Sequence, residues 1–536
     1  TSQVNSPKHN FVYCVVGSRK EPFGFVFWAI TLRAIRYFKH YSMKLHVSSQ
    51  NRKNEGLRLL PFLENDGIRT QLLRLASLLQ APADWLLRDF QGKSGQILSL
   101  YSGKEKIILV GLGKQPGARK IRHTFRTLSH SWIEQDVQVV GLDLRLENIP
   151  APLLASVLTD GVQGLYLGGY QAGQFKSEES ARHPLHQSGA ELNILCTPDQ
   201  VALAQKAATQ GLLFGETLER IFDMVNRPAN YKTPEWMARW ARQSGKAFGF
   251  RVHILGKAEL QEAGFHALLA VNQGSAHDPV LIIMEYRGAE DAPTVGLAGK
   301  GVTFDTGGVS IKPSARMHHM KSDMGGAAAV MGTIELAARL ELPVHVVGVV
   351  PVTDNSVGSH ALKPSDVITS YSGKSIEIID TDAEGRLILA DALSYLNRQY
   401  RPQQLIDLAT LTGSAMSTLG QKAAALFTNH EGLLADLYRA GEQTGERVWR
   451  LPLWDDYAED LHSDVADLRN YSGRPLAGAI GAAKFLEAFT DDHPQWAHLD
   501  IAGVAFNDTA FTKMNAASGF GVRLLVHFLE QQHGLI

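Results

Sequence analysis

Residues 294–308 read TVGLAGKGVTFDTGG: an apolar run, TVGLAG, then Lys300, Asp305 and the pair Gly307-Gly308. A short run of small and branched apolar residues, with no polar alternation, predicts a strand buried on both faces of a sheet. The charged pair lies beyond the strand's C-terminal end, where open α/β sheets bind ligands. The two glycines allow a backbone or a ligand to approach closely.

The same pattern extends outward. VLIIMEY (280–286), HVVGVV (345–350) and LIDLATL (405–411) read as strands, interleaved with a Gly/Ala-rich helix from about Gly325 and a helix from about Leu387. Toward the N-terminus, IILVG (107–111) and VQVVGL (137–142) read as short buried strands around a helical stretch at 124–132. Strands alternating with helices indicate α/β organisation, with a parallel sheet expected in this part. The segment Gly111-Leu112-Gly113-Lys114 resembles a nucleotide-binding turn. Gly117 comes one position late for G-x-G-x-x-G, so a tight strand-to-helix turn is expected. Residues 202–225 read as a helix that breaks at Asn226-Arg227-Pro228-Ala229-Asn230, and Thr233 with Pro234 reads as an N-cap and first helical position.

The expected fold class is therefore α/β: a smaller N-terminal α/β domain, then a larger C-terminal α/β domain with a central mixed sheet flanked by helices. The boundaries are an anomalous N-terminal extension over 1–42, an N-terminal domain over 43–200, a linking helix over 201–230, and the domain with the charged motifs over 231–536. A chain of 536 residues exceeds one compact core. Within 1–42, Phe23 to Leu32 is too short to span a bilayer, and Met43 opens a segment that reads as an ordinary start. The expectation is a non-native or mis-started extension, with a targeting presequence as the competitor.

A net charge of −1 and a pI near 7.0 supply no global electrostatic reason to bind nucleic acid or an acidic membrane. Cys14 and Cys196 cannot form a disulfide scaffold or a Cys-rich zinc site, which points to a reducing, cytoplasmic compartment. His430-Glu431 lacks the second histidine of H-E-x-x-H, no G-x-S-x-G elbow occurs, and Gly373-Lys374-Ser375 lacks the leading glycine of a P-loop.

Two further charged blocks follow the first. Ser310-Ile311-Lys312-Pro313 is followed by Met320-Lys321-Ser322-Asp323-Met324-Gly325-Gly326, which places Asp323 at the mouth of a helix. Asp380-Thr381-Asp382-Ala383-Glu384-Gly385-Arg386 follows the strand-like SIEII and leads into another helix. In an extended segment Asp382, Glu384 and Arg386 would project to one side. Taken singly, an acidic residue before a helix is most often a cap. The adjacent His318 and His319 read as bystanders.

Taken together, GKGVTFDTGG, SIKP, MKSDMGGAA and TDAEGRLILADAL resemble the cytosol (leucyl) aminopeptidase family of two-metal exopeptidases. ATLTG (409–413), WRLPL (449–453), ADLRN (466–470), HLDIAG (498–503), GFGVRLL (519–525) and VNRPANYKTP (225–234) match it in order, over roughly residues 205–530. The resemblance implies that Asp305 and Glu384 bridge two metals, that Lys300 and Asp323 complete one shell and Asp382 the other, and that Lys312 and Arg386 are catalytic. It implies two divalent metal ions per subunit, zinc or manganese, and a bicarbonate held by Arg386. Its reaction is hydrolysis of the N-terminal peptide bond through a metal-bridging water. Met320, Leu411 and Thr412-Gly413 would line a pocket for leucine or another apolar residue. Peptide substrates and a homohexamer are implied too; nucleic acid is not. Asp380 stands where an asparagine is common, and the loop 353–360 departs from better-known members. A two-metal hydrolase of a phosphoester or non-peptide amide, or nucleic-acid binding by the N-terminal domain, are the competing readings.

Overall fold

Two β-sheets organise the chain between Met43 and Gly534. The computed structural model describes residues 43–534, apart from 51–55, 104, 134, 136, 147–148, 173–174 and 178–181. The expected extension over 1–42, with Cys14, lies outside the described residues.

The first sheet contains β1 (Lys44–Ser48), β2 (Leu57–Leu63), β3 (Ile97–Ser102), β4 (Glu105–Gly113), β5 (Val139–Asp143) and β6 (Glu191–Leu195). Its order is β1-β6-β5-β2-β4-β3. Every pairing is parallel except that of the edge strand β3 with β4. β4 is buried from Ile107 to Gly113, matching its unbroken apolar run, whereas β3 alternates exposed and half-buried residues as an edge strand does. β4 ends at Gly113 with φ +83°, and the helix Ala118–His130 follows, so the glycine-rich segment is the expected tight turn.

The second sheet adds β7 (Arg251–Leu255), β8 (Val280–Arg287), β9 (Thr294–Gly299), β10 (Gly301–Asp305), β11 (His345–Asn355), β14 (Gln404–Ala409), β15 (Ala424–Thr428), β16 (Val448–Arg450) and β18 (Trp496–Asp500). Its order is β16-β15-β18-β14-β9-β11-β8-β7, with β10 on β11. The centre, β18-β14-β9-β11, is parallel, while β15 and β8 run against it. This is the expected mixed sheet. Successive residues of its strands enter different cores. Ile406 and Leu408 face the side of the helix Gly325–Arg339, and Leu405 and Ala409 face the side of the helix Glu384–Tyr400. β12 (Val367–Thr369), β13 (Ser375–Glu377) and β17 (Leu468–Arg469) form a small third sheet.

The helix Val201–Asn226 is shared between the layers. It packs on Ala151–Leu167 beside the first sheet and on Gly325–Arg339 beside the second, and buried residues of all three belong to one continuous cluster. A Cβ at Gly211 would come 2.4 Å from the Thr159 carbonyl, and one at Gly332 would come 2.8 Å from Ile221 Cγ1. Close helix contact on both sides therefore depends on glycine.

The helix expected from Leu387 begins at Glu384. Gly385 lies inside the first turn, and a Cβ there would meet Lys300 Cε at 2.4 Å. The extended arrangement of 382–386 is thereby corrected. At about 100° per residue, Glu384 and Arg386 point to different sides of their helix.

Farther along this helix, the buried Asp391 accepts from Leu268 N at 2.9 Å and Tyr371 N at 2.7 Å. Burial pushes its carboxyl up to about 7, against the lowering effect of those N–H groups. The unfolded carboxyl titrates near ~4. Between these values the folded protein holds a proton that the unfolded chain has released, so this group's contribution to stability falls as pH rises from ~4 to about 7. Asp391→Asn is expected to remove that slope; melting temperatures of both proteins across this range check it.

Candidate metal centre

Register in the second sheet brings the ends of several strands to one level. Leu408 lies beside Gly299, Ala409 beside Asp500, and Asn355 beside Asp305. The residues that follow β9, β14 and β18 therefore emerge together at the C-terminal edge, where the helix Glu384–Tyr400 presents its first turn.

Lys300 follows β9 directly. Its own backbone is fixed by donating to Leu408 O at 3.0 Å and accepting from Ala327 N at 2.8 Å. The buried ammonium lies 2.9 and 2.8 Å from the two Asp323 oxygens, 2.8 Å from Glu384 Oε1 and 3.1 Å from Thr410 O. Burial alone would push this amine down. The combined fields of Asp323, Glu384 and Asp305 outweigh it and hold the proton more tightly than usual. Asp323 is fixed from a second side by Thr410 Oγ1 at 2.8 Å.

Asp305 closes β10. Its Oδ1 accepts from Gly307 N at 2.8 Å and Asn355 Nδ2 at 2.9 Å, and Oδ2 lies 2.7 Å from Lys312 Nζ. Lys312 also pairs with Asp382. Lys312 is more exposed than Lys300, its side chain retaining 21% of its accessibility against 3%, so it marks the open side of the cluster. Burial lowers the Lys312 ammonium, but Asp305, Glu384 and Asp382 together raise it well above its ordinary value. Burial, then repulsion from Asp305 and Glu384, pushes the Asp382 carboxyl up to about 7. Burial also raises Asp323 and Glu384.

Asp305, Asp382 and Glu384 each offer an oxygen within 4.8 Å of the others. Glu384 Oε2 is buried without a partner, while Oε1 lies 2.8 Å from Lys300 Nζ. Buried carboxylate oxygens without donors are costly unless a cation satisfies them. Oxygen donors grouped this closely suit hard divalent ions, and an added amine also accommodates zinc. The donor set therefore fits divalent metal.

Arg386 stands apart from this cluster, as its helical phase requires. Nη1 donates to Asn470 O at 2.7 Å, and Nε is buried without a partner. Burial pushes the guanidinium down to about 10, against Glu384, Asp380 and Asp500. The structure thus gathers Lys300, Asp305, Asp323, Asp382, Glu384 and Lys312 into one cluster and sets Arg386 beside it.

Sequence reading passed over Asn355, Thr410 and Asn470. Asn355 bridges Asp305 and Thr381 O, the latter at 3.0 Å. Asn470 follows β17, which runs beside β13, and donates to Asp380 O at 2.6 Å while accepting from Ile379 N at 2.8 Å. The one signal for Asn355 and Thr410 is that each ends or follows a strand of the motif-bearing sheet.

A family model described as "Cytosol aminopeptidase family, catalytic domain" matches residues 220–526, and one described as its N-terminal domain matches residues 87–179. The chain belongs to the cytosol aminopeptidase family. It is a metallo-aminopeptidase of that family, as relatives agree. A probable cytosol aminopeptidase of Chlorobium luteolum is 42% identical over 497 residues, 89% of this chain and 96% of that protein. One from Syntrophotalea carbinolica is 43% identical over 453 residues, 83% and 90% of the two chains. Among solved structures, the bottromycin maturation enzyme BotP in complex with Mn matches at TM-score 0.77 and 32% identity, covering 89% of this chain and all of that one. Among the described residues, no helix is long and apolar enough to cross a membrane.

For a cytosol aminopeptidase, the departure at Asp380 leaves the local turn intact. Asp380 Oδ1 accepts from Asp382 N at 2.8 Å, a side-chain turn that asparagine makes equally well. The departing loop 353–360 supplies Asn355 to the site, while Asp354 bonds Ser275. Thr412 is turned inward, donating to Asp500 Oδ2 at 2.6 Å and capping the helix Gly413–Leu419. His318 and His319 pack on each other, and His319 also packs on Phe506.

Gly385→Ala tests how the first helical turn serves this cluster. Alanine favours a helix by ~1 kcal/mol over glycine. The atoms it would strike are the flexible end of Lys300, so the protein is expected to stay folded while Lys300 Nζ is displaced. Activity is expected to fall by at least ~10-fold with an unchanged melting temperature, which kinetics and calorimetry together check.

Proposed function

We propose that this cluster is a two-metal centre hydrolysing the N-terminal peptide bond of peptides, with leucine or another apolar residue preferred. Lys300, Asp305, Asp323, Asp382 and Glu384 would hold two divalent cations, zinc or manganese. The Mn reported with the bottromycin maturation enzyme favours manganese. The observation that carries this reading is the convergence of four carboxylates and Lys300 at one edge of the sheet, with Glu384 Oε2 buried and unpartnered beside the Lys300–Oε1 ion pair.

When bound, such a cation pair supplies Lewis acidity to the scissile carbonyl and to an attacking water. The chain's own groups do the rest. Four carboxylates neutralise two divalent charges once Lys300 gives up its proton and offers a neutral amine. Asn355 and Gly307 hold Asp305, and Thr410 holds Asp323, so neither carboxylate needs to reorganise. Lys312, charged and on the open side, would stabilise the oxyanion. Arg386 would hold a bicarbonate that relays a proton; its buried Nε is free of hydrogen-bond partners and suits such an anion. Met320, Leu411 and Thr412-Gly413 would line the side-chain pocket, where discrimination by one methylene is worth only ~1–3 kcal/mol. A homohexamer working on peptides in the cytoplasm completes the reading.

Metal analysis of the purified protein, alongside aminoacyl-amide and phosphoester substrates, tests it. Two cations per chain and turnover of aminoacyl substrates with a free α-amine are expected. Turnover of the phosphoesters alone would refute it. Arg386→Ala is expected to lower kcat by ~10²-fold or more, the scale of general acid–base catalysis; full turnover would remove the bicarbonate role.

A further inference from the structure

Lys232 has no part in the reaction described above, yet its side chain is completely buried. It stands between the short 3-10 turn Ala229–Tyr231 and Thr233, the N-cap of the helix Pro234–Phe248. Its Nζ donates to two backbone carbonyls: that of Val225 at 3.1 Å, and that of Lys321. Val225 lies in the last turn of the helix Val201–Asn226, where carbonyls lack an intrahelical N–H. Burial, with Lys321 and Arg227 nearby, pushes the amine well below its ordinary value against the pull of Asp323.

Lys321 is the link to the site. It belongs to the 3-10 helix Met317–Ser322, which Asp323 terminates, and Asp323 N donates to Met320 O at 3.2 Å. The Asp323 carboxylate is held from the front by Lys300 and Thr410. The turn that carries it is held from behind by Lys232.

We infer that Lys232 is a positioning residue, tying the Met317–Asp323 turn to the end of the long helix and so setting where the Asp323 carboxylate stands for cation binding. This rests on the reading of Asp323 as a metal ligand. Outer partners that orient ligands typically contribute ~10–100-fold to metal affinity.

The test is calorimetric titration of the metal-free, full-length protein with Mn²⁺, comparing wild type, Lys232→Met, Lys232→Gln and Asp323→Asn. In Lys232→Met, one of the two affinities is expected to fall ~10–100-fold with the other unchanged. Activity should recover at high Mn²⁺. Lys232→Gln, which keeps two amide hydrogens on a shorter side chain, is expected to lie between. Asp323→Asn is expected to lose the same site. If Asp323→Asn binds two cations like the wild type, the reading of Asp323 fails. If Asp323→Asn loses a site while Lys232→Met titrates like the wild type, the inference about Lys232 fails alone. If both affinities fall together with the melting temperature of the metal-free protein, Lys232 is only a packing residue and the inference is overturned. Should Lys232→Met not fold, Lys232→Gln decides by the same criteria.

Discussion

Glu384→Gln is expected to lower kcat/KM by ~10³-fold or more, about 4 kcal/mol of transition-state stabilisation, and to leave fewer than two cations per chain. Glutamine matches the shape of glutamate, so the packing of this almost completely buried side chain survives. What disappears is the negative charge facing Lys300 at 2.8 Å and lying among the oxygens of Asp305 and Asp382. In the proposed reading this carboxylate serves both cations, so its neutralisation weakens both. Excess metal is therefore not expected to restore the variant. Elemental analysis with steady-state kinetics checks both halves. Two firmly bound cations and near-normal turnover would remove Glu384 from the bridging position.

Lys312→Met is expected to separate catalysis from metal binding. Its ammonium lies 2.7 Å from Asp305 Oδ2, contacts Asp382, and is on the open side of the cluster. A donor aimed at developing oxyanion charge is worth ~10²–10³-fold in kcat. The expected result is a loss of that size in kcat, little change in KM, and two cations still bound. Loss of the cations together with activity would instead make Lys312 a keeper of the carboxylates.

Lys300 and Lys312 look alike in the sequence, and the structure separates them by position. One is sealed between Asp323 and Glu384, and the other stands at the opening beside Asp305 and Asp382. Lys300 and Asp305 were legible in place because each follows a strand-like run, whereas Lys312, Asp323, Asp382 and Glu384 joined them through the ordered motifs of the resemblance. The start of the helix at Glu384 was not legible, since a glycine in contact with Lys300 is locally indistinguishable from a breaker. The supports from Asn355 and Asn470 were hidden for another reason. They reach across 50 residues to Asp305 and 90 to Asp380, the first between β10 and β11 and the second between β13 and β17. Periodicity reports which face of a strand is buried; it does not report which strand lies beside it.

The helix Val201–Asn226 has a bearing on how the protein evolves. Its two glycine-mediated contacts, at Gly211 toward Thr159 and at Gly332 from the opposite helix, make it a wall common to both halves. A recombination event that brings in a different N-terminal half must also bring a surface that fits this wall. Sequence drift in the two halves is thus coupled at a seam far from the chemistry, and chimaeras joined within that helix should inherit mismatched packing rather than a damaged active centre.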